Sequence, residues 1–85
     1  MEQFLYRVTD PSGIHARPAG AIVKEAAKFK CAIKIIANGK EADAKKIFTV
    51  MSLGIRSGDE ITLTFDGEDE KEAKAVLSSL ISNQL

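Results

Sequence analysis

The sequence predicts an α+β domain of two layers, in which helices cover one face of a mostly antiparallel sheet. Some stretches alternate apolar and polar residues, as half-buried strands do, whereas others carry apolar residues at helical spacing. An Asn-Gly dipeptide between two of the strand-like stretches is a strong signal of an antiparallel hairpin. With 85 residues, the chain is expected to form a single domain over residues 1–85.

The first strand and the first helix are predicted from two different periodicities. Phe4, Tyr6 and Val8 alternate along residues 2–8, which predicts a strand. An Asp-Pro-Ser-Gly cluster at 10–13 predicts the turn that ends it. From Ala16 to about residue 28 the apolar residues recur at helical spacing, and this predicts the first helix.

A hairpin is predicted in the middle of the chain. Residues 32–36 are rich in β-branched side chains, and Asn38-Gly39 follows them. Both residues of that dipeptide accept a positive φ, so they predict a tight turn into a short polar strand over 40–43.

A short second helix is predicted next. Ile47, Val50 and Met51 are spaced at i, i+3 and i+4, and Gly54 is expected to stop the helix soon afterwards. Residues 61–65 then alternate cleanly and predict the last strand.

A final helix completes the predicted order β-α-β-β-α-β-α. Asp69 and Glu72 have the spacing of a capping box, which predicts its N-terminus. The apolar stripe of this helix consists of Ala73, Val76, Leu77, Leu80 and Ile81.

Composition limits the classes of function. Twelve lysine and arginine residues balance twelve aspartate and glutamate residues, which argues against a general nucleic-acid-binding surface. No apolar run reaches the roughly 20 residues that a membrane span needs, and the polar start does not look like a signal peptide. The only cysteine, Cys31, cannot build a disulfide framework and is expected to be a half-buried structural thiol. We therefore expect a cytoplasmic protein that binds no nucleic acid and does not insert into a membrane.

His15 is the only histidine, and four roles are open to it. A structural role is common in small domains, but His15 falls at a turn-to-helix junction rather than on an apolar face. A metal site is not expected, because no second histidine, Cys-x-x-Cys or paired carboxylate accompanies it. A general base for Ser12 or Cys31 lacks an orienting third group. The fourth role is that of a nucleophile that accepts a phosphoryl group.

The residues around His15 meet several demands of phosphoryl transfer. A neutral imidazole is nucleophilic at cellular pH, since its pKa is about 6.5. A helix that begins at His15 or Ala16 directs the main-chain N–H groups of Ala16 and Arg17 at the site, and its positive end favours an anion. The guanidinium of Arg17 is a planar, charged fork suited to phosphoryl oxygens. Gly13 permits a sharp bend before the histidine, and Pro18 fits the first turn of a helix.

The stretch Gly-Ile-His-Ala-Arg-Pro-Ala at 13–19 closely resembles the active-site motif of the histidine-containing phosphocarrier (HPr) family of the bacterial sugar phosphotransferase system. The resemblance covers essentially the whole chain and follows the same order. Besides the motif and the final helix, it is carried by NGK at 38–40, AKKIFTVMSLGI at 44–55 and GDEITLTFDGEDE at 58–70.

This resemblance implies an open-faced β-sandwich with the antiparallel strand order 1-4-2-3 and three helices on one face. It implies that enzyme I phosphorylates His15, with Nδ1 as the attacking atom, and that the group then passes to the EIIA domain of a sugar permease. Arg17 would stabilise the phosphoryl group. Such a protein is a stoichiometric carrier rather than an enzyme, and it needs no cofactor. The alternative is a relative that kept the fold and serves only as a regulatory or docking domain.

The second helix gains a role from the same resemblance. Family members dock their partners through an exposed apolar patch beside the histidine, which here implies Ile47, Phe48 and Met51. Lys24 and Lys45 are expected in a basic rim that attracts acidic partners. Many members carry a regulated serine where this chain has Lys46, so that mode of regulation is not expected here. Transient docking of this kind suggests a monomer.

Overall fold

The computed structural model describes residues 1–13 and 16–85. It confirms the predicted element order β-α-β-β-α-β-α. In chain order the elements are β1 (Glu2–Arg7), α1 (Ala16–Ala26), β2 (Ala32–Ala37), β3 (Lys40–Asp43), α2 (Ile47–Met51), β4 (Glu60–Asp66) and α3 (Glu70–Gln84).

The four strands form one antiparallel sheet in the order β1-β4-β2-β3, as the family resemblance implied. Its register runs straight across the three longest strands, since Phe4 lies opposite Leu63 and Leu63 lies opposite Ile35. Side chains at paired positions share a face of a sheet, so this register stacks apolar residues into a row.

Only one face of the sheet is covered by helices. Ile33, Ile35, Ile61, Leu63 and Phe65 point into the core and are fully buried. On the opposite face Leu5 is exposed, in register with Thr62 and Ile36. The result is the open-faced, two-layer sandwich that was expected. The helical side of the core is formed by Ala19, Ile22 and Ala26 of α1, Val50 of α2, and Ala73, Leu77 and Ile81 of α3.

The hairpin between β2 and β3 has the predicted turn. Asn38 has φ 54° and Gly39 has φ 73°, which is the double positive φ of a type I′ turn. The side chain of Asn38 also donates to the main-chain oxygen of Leu53 at 3.2 Å and to the carboxylate of Asp59 at 3.2 Å. The hairpin tip is thereby tied to the loop before β4.

The predicted capping box at the start of α3 is wrong. Asp69 is the N-cap residue, but its side chain makes no capping hydrogen bond. Its two carboxylate oxygens accept instead from the main-chain N–H groups of Lys30, at 2.8 Å, and Cys31, at 2.9 Å. A carboxylate that receives two donors from a distant loop is no longer available to its own helix. Asp69 therefore joins the start of α3 to the start of β2.

None of the helices in the described part of the chain is long and apolar enough to cross a lipid bilayer.

Replacing Asp69 by Asn is expected to lower stability and to flatten its dependence on acid pH. The N–H donors, that of Lys30 first, hold the pKa of Asp69 below its ordinary value. The stabilisation is therefore complete above the unfolded-state pKa of about 3.9 and is lost as the pH falls through the lower folded-state value. Thermal unfolding followed by circular dichroism from about pH 2 to pH 7 measures both effects.

The matched control is Glu68→Gln, which removes a neighbouring exposed carboxylate that accepts no hydrogen bond within residues 1–13 and 16–85. This variant should lose stability with falling pH in the same way as the parent protein. If Asp69→Asn lost stability at acid pH as the parent does, the role assigned to the Asp69 carboxylate would be contradicted.

Candidate functional site

The predicted nucleophile, His15, lies outside the described residues, as does Ile14. The structure describes the chain on both sides, with Gly13 ending the preceding segment and Ala16 starting α1. The setting of the candidate site can therefore be built from its flanks.

α1 begins at Ala16, the residue that follows His15 in the chain. The first main-chain N–H groups of a helix have no partner within that helix, so those of Ala16 and Arg17 are available at this end. No acidic residue is present in the first turn of α1, and Lys24 lies in the last. The local field at the start of α1 therefore favours an anion.

Arg17 is exposed on the first turn of α1 and lines a cavity of about 320 Å³. The other residues around this cavity are Asp10, Pro18 and Gln84. Within residues 1–13 and 16–85, the guanidinium of Arg17 takes part in no salt bridge. Its charge is thus available to a bound anion.

The segment that leads to His15 is held in a tight turn. The carboxylate of Asp10 accepts from the N–H of Ser12 at 2.8 Å, and the main-chain oxygen of Asp10 accepts from the N–H of Gly13 at 2.9 Å. Gly13 is buried with φ 64°. A Cβ there would collide with the main-chain oxygen of Ile55 and lie 2.8 Å from Cα of Arg56. The sharp bend predicted for Gly13 is confirmed, and the close contact with Ile55 gives a second reason for glycine.

The expected apolar patch on α2 is present in part at the surface. Phe48 is 84% exposed and Met51 is 40% exposed, whereas Val50 is buried. Ile47 is half-buried against the core, and its Cδ1 lies 3.9 Å from where a Cβ of Gly20 would be. Gly20 follows the first residue of α1 by about one turn, so the patch lies beside the N-terminal half of α1.

The two rim lysines differ in their contacts. Lys24 is exposed near the end of α1. Lys45 is half-buried, and its ammonium donates to the main-chain oxygen of Phe29 at 2.8 Å. Its N–H also donates to the carboxylate of Asp43 at 2.9 Å. Lys45 therefore fixes the loop before α2 to the loop after α1.

Lys46 is the N-cap residue of α2, with extended φ −126° and ψ 109° and no side-chain capping bond. The hydroxyl of Thr49 hydrogen-bonds to the main-chain oxygens of Lys46 and Asp43, at 2.7 and 2.9 Å. Thr49, rather than the N-cap side chain, thus ties the first turn of α2 to the segment before it.

Cys31 belongs to the core and not to this site. It lies one residue before β2 and is 2% exposed, so the thiol is fully buried rather than half-buried as expected. Burial, with Asp69 nearby, raises the pKa of the thiol to about 11. The thiol is therefore protonated and unreactive near neutral pH. Among the described residues, no three side chains of His, Cys, Asp or Glu are grouped so that they could hold a metal ion.

The comparison with known proteins decides the family. A family described as the PTS HPr component phosphorylation site matches residues 3–83 of this chain. The chain belongs to the HPr family. It is 46% identical over 82 residues to the phosphocarrier protein HPr of Mycoplasma genitalium, with 95% of this chain and 93% of that protein covered. It is also 46% identical over 82 residues to HPr of Buchnera aphidicola, with 96% of each covered.

A solved structure supports the same assignment. The histidine-containing phosphocarrier protein of a mycoplasma superimposes with a TM-score of 0.94 at 40% identity, over 96% of this chain and 93% of that one. The chain is accordingly a phosphocarrier of the phosphotransferase system that transports sugars, and it is a carrier rather than a turnover enzyme. Membership of the HPr family implies enzyme I and EIIA domains as partners.

Sequence reasoning missed two residues of the Arg17 cavity, Asp10 and Gln84. Gln84 lies near the opposite end of the chain, and only the return of α3 brings it to this place. No local spacing could have indicated that contact.

Gly13→Ala is expected to destabilise the fold more than Gly54→Ala does. Gly54 has φ 63°, nearly that of Gly13, but a Cβ there would meet no heavy atom within 4 Å. Both substitutions force alanine into the left-handed region, at a cost of roughly 1–2 kcal/mol. Only Gly13→Ala adds the collision with Ile55, so its free energy of unfolding in urea should fall by about 2 kcal/mol or more.

The same two variants distinguish an effect on the phosphoryl site from a general loss of stability. Gly13→Ala should slow phosphorylation of the chain, whereas Gly54→Ala should leave the rate unchanged. Equal losses of stability in the two variants would show that residue 13 moves away from Ile55 without cost.

Proposed function

We propose that His15 carries the phosphoryl group, taking it from phospho-enzyme I and giving it to the EIIA domain of a sugar permease. Arg17 and the first main-chain N–H groups of α1, those of Ala16 and Arg17, stabilise that group. The observation that supports this most is the start of α1 at Ala16, directly after His15 and beside the cavity that Arg17 lines.

The chemistry is an in-line transfer of a phosphoryl group from enzyme I to a nitrogen of His15. The unprotonated Nδ1 of a neutral His15 forms a bond to phosphorus as the bond between phosphorus and its carrier atom on enzyme I breaks. The transition state is loose and spreads negative charge over three equatorial oxygens. The guanidinium of Arg17 and the first helix N–H groups supply positive charge where negative charge develops, which is the main catalytic requirement of such a step.

Partner docking is proposed for the α2 patch of Ile47, Phe48 and Met51. Phe48 offers the largest apolar surface. The contact of Ile47 with the N-terminal half of α1 supports a partner docked on α2 that reaches the phosphoryl site. Lys24 supplies exposed positive charge that attracts acidic partners. Lys45 contributes to the same docking surface by holding the loop before α2 in place. A transient interface of this kind buries about 1,200 Å² or less.

In this proposal the protein works as a cytoplasmic monomer. One patch and one phosphoryl site serve each partner in turn, and the permease determines the sugar.

The first test is phosphorylation by catalytic amounts of enzyme I with phosphoenolpyruvate and Mg²⁺. Intact mass spectrometry should show one acid-labile phosphoryl group on the parent chain and none on His15→Ala. Arg17→Ala should keep the site but slow the transfer by about 10²-fold, since a positioned donor to a developing oxyanion contributes about that much. An unmodified parent chain would overturn the proposed carrier chemistry.

The second test compares Phe48→Ala with Leu5→Ala. Both side chains are exposed, by 84% and 59%, but Leu5 lies on the open face of the sheet. Phe48→Ala should raise the KM for both partners by roughly 5- to 30-fold, the effect of losing 1–2 kcal/mol of an aromatic contact. Its unfolding free energy should change by less than about 0.5 kcal/mol.

Leu5→Ala should leave the KM for both partners unchanged. A similar rise in both variants would place the docking surface elsewhere than α2.

A further inference from the structure

The turn that precedes His15 is anchored where it begins. The main-chain oxygen of Leu85, directly after α3, accepts hydrogen bonds from the N–H groups of Thr9 and Asp10, each at 2.8 Å. The hydroxyl of Thr9 donates to the same oxygen at 2.8 Å. None of these three bonds uses the side chain of Asp10. A substitution of that side chain therefore leaves the anchor in place.

Within the turn, Asp10 accepts two further hydrogen bonds. Its main-chain oxygen accepts from the N–H of Gly13 at 2.9 Å, and its carboxylate accepts from the N–H of Ser12 at 2.8 Å. Aspartate at the first position, proline at the second and glycine at the fourth are typical of the commonest β-turn. The carboxylate of Asp10 thus adds a side-chain bond across a turn that the main chain also closes.

The place of this turn limits the place of His15. Gly13, the last residue of the turn, is buried, and a Cβ there would lie 2.8 Å from Cα of Arg56. Gly13 therefore has no room to move toward the loop before β4. Only Ile14 and His15 separate it from Ala16, the first residue of α1. A change in the turn is accordingly passed over two residues to the nucleophile.

We propose that Asp10 is a positioning residue for phosphoryl transfer, whose carboxylate oxygen holds the turn in the form that presents His15 to its partners. The proposal rests on the proposed function of His15 and assigns Asp10 no contact with the phosphoryl group. Transfer through a loose transition state depends mainly on the position of the reacting groups and on stabilisation of charge. The role requires an acceptor at the reach of the Ser12 N–H, and it does not require a negative charge.

A second turn of the chain supplies a matched control. The carboxylate of Asp43 accepts from the N–H of Lys45 at 2.9 Å, and its main-chain oxygen accepts from the N–H of Lys46 at 3.1 Å. The donors lie two and three residues after the aspartate, as they do at Asp10, and this turn also precedes a helix, α2. Asp43→Ala therefore removes the same kind of bond from a turn that does not lead to His15.

The experiment measures a single transfer from phospho-enzyme I to each form of the carrier. Enzyme I is phosphorylated with phosphoenolpyruvate and Mg²⁺, separated from both, and mixed rapidly with an excess of carrier. The reaction is stopped in denaturant at alkaline pH, and intact mass spectrometry measures the phosphorylated fraction. A range of carrier concentrations gives the maximal transfer rate and the half-saturating concentration separately. Thermal unfolding of each variant shows whether it is folded at the assay temperature.

Asp10→Ala should lower the maximal rate by about 10- to 100-fold, since a misplacement of about 1 Å can cost that much, and it should leave the half-saturating concentration unchanged. Asp10→Asn loses the charge but keeps an acceptor at the same reach, so it should transfer at the parent rate. Asp10→Glu keeps the charge but carries it one methylene further, so it should be as slow as Asp10→Ala. Asp43→Ala should keep the maximal rate of the parent.

A maximal rate in Asp10→Ala equal to that of the parent would overturn the proposal. An Asp10→Asn variant as slow as Asp10→Ala would also overturn it, because Asp10 and Arg17 line the same cavity and the effect would then come from charge. An equally slow Asp43→Ala would show that the loss of any such bond slows transfer. A parent chain that phospho-enzyme I does not phosphorylate would instead reject the proposed function itself.

Discussion

The pairing of β4 on both of its edges is the constraint on which the rest of the molecule depends. β4 is bonded to β1 on one side and to β2 on the other, so the first and last strands of the chain are neighbours. α3 follows β4 and returns across the sheet, which brings Leu85 to the residues just after β1. A central antiparallel strand thus brings the two ends of the sequence together beside the cavity that Arg17 lines.

Arg17, Phe48 and Lys24 are exposed and lie outside the core. Within the described part of the chain, the fully buried side chains are apolar or a thiol, and no buried polar side chain is found. α2 contributes one side chain to the core and another to the surface within a single turn. Val50 and Phe48 are two positions apart, so they project from nearly opposite sides of the helix. Val50 is buried in the core, whereas the aromatic ring of Phe48 is exposed to solvent.

Local rules account for most of the fold and for part of the site. The elements follow from periodicity, and the Asn38-Gly39 turn follows from backbone conformations that few residue pairs accept. The outward position of Phe48 follows from the same helical geometry. The strand order came from the family resemblance, because periodicity does not determine which strands pair.

The wrong capping prediction and the contacts that sequence reasoning missed have one physical cause, which is interaction with partners distant in the sequence. Asp69 has a capping sequence, but two main-chain donors before β2 take its carboxylate. Lys45 is expected as a charge on the basic rim, and the structure shows that its ammonium also donates to the main-chain oxygen of Phe29. Gln84 carries no motif at all, and its place beside Arg17 depends on the whole path of the chain. Contacts of this type arise only once the layers are packed.

The burial of Cys31 has a consequence for the conditions under which the carrier can work. Oxidation of cysteine begins with the thiolate, and a thiol that is both sealed from solvent and held protonated forms very little of it. The chain has no other cysteine. Peroxides and disulfides therefore find no reactive cysteine on the folded carrier. Its phosphoryl transfer should not depend on the thiol redox state of its surroundings.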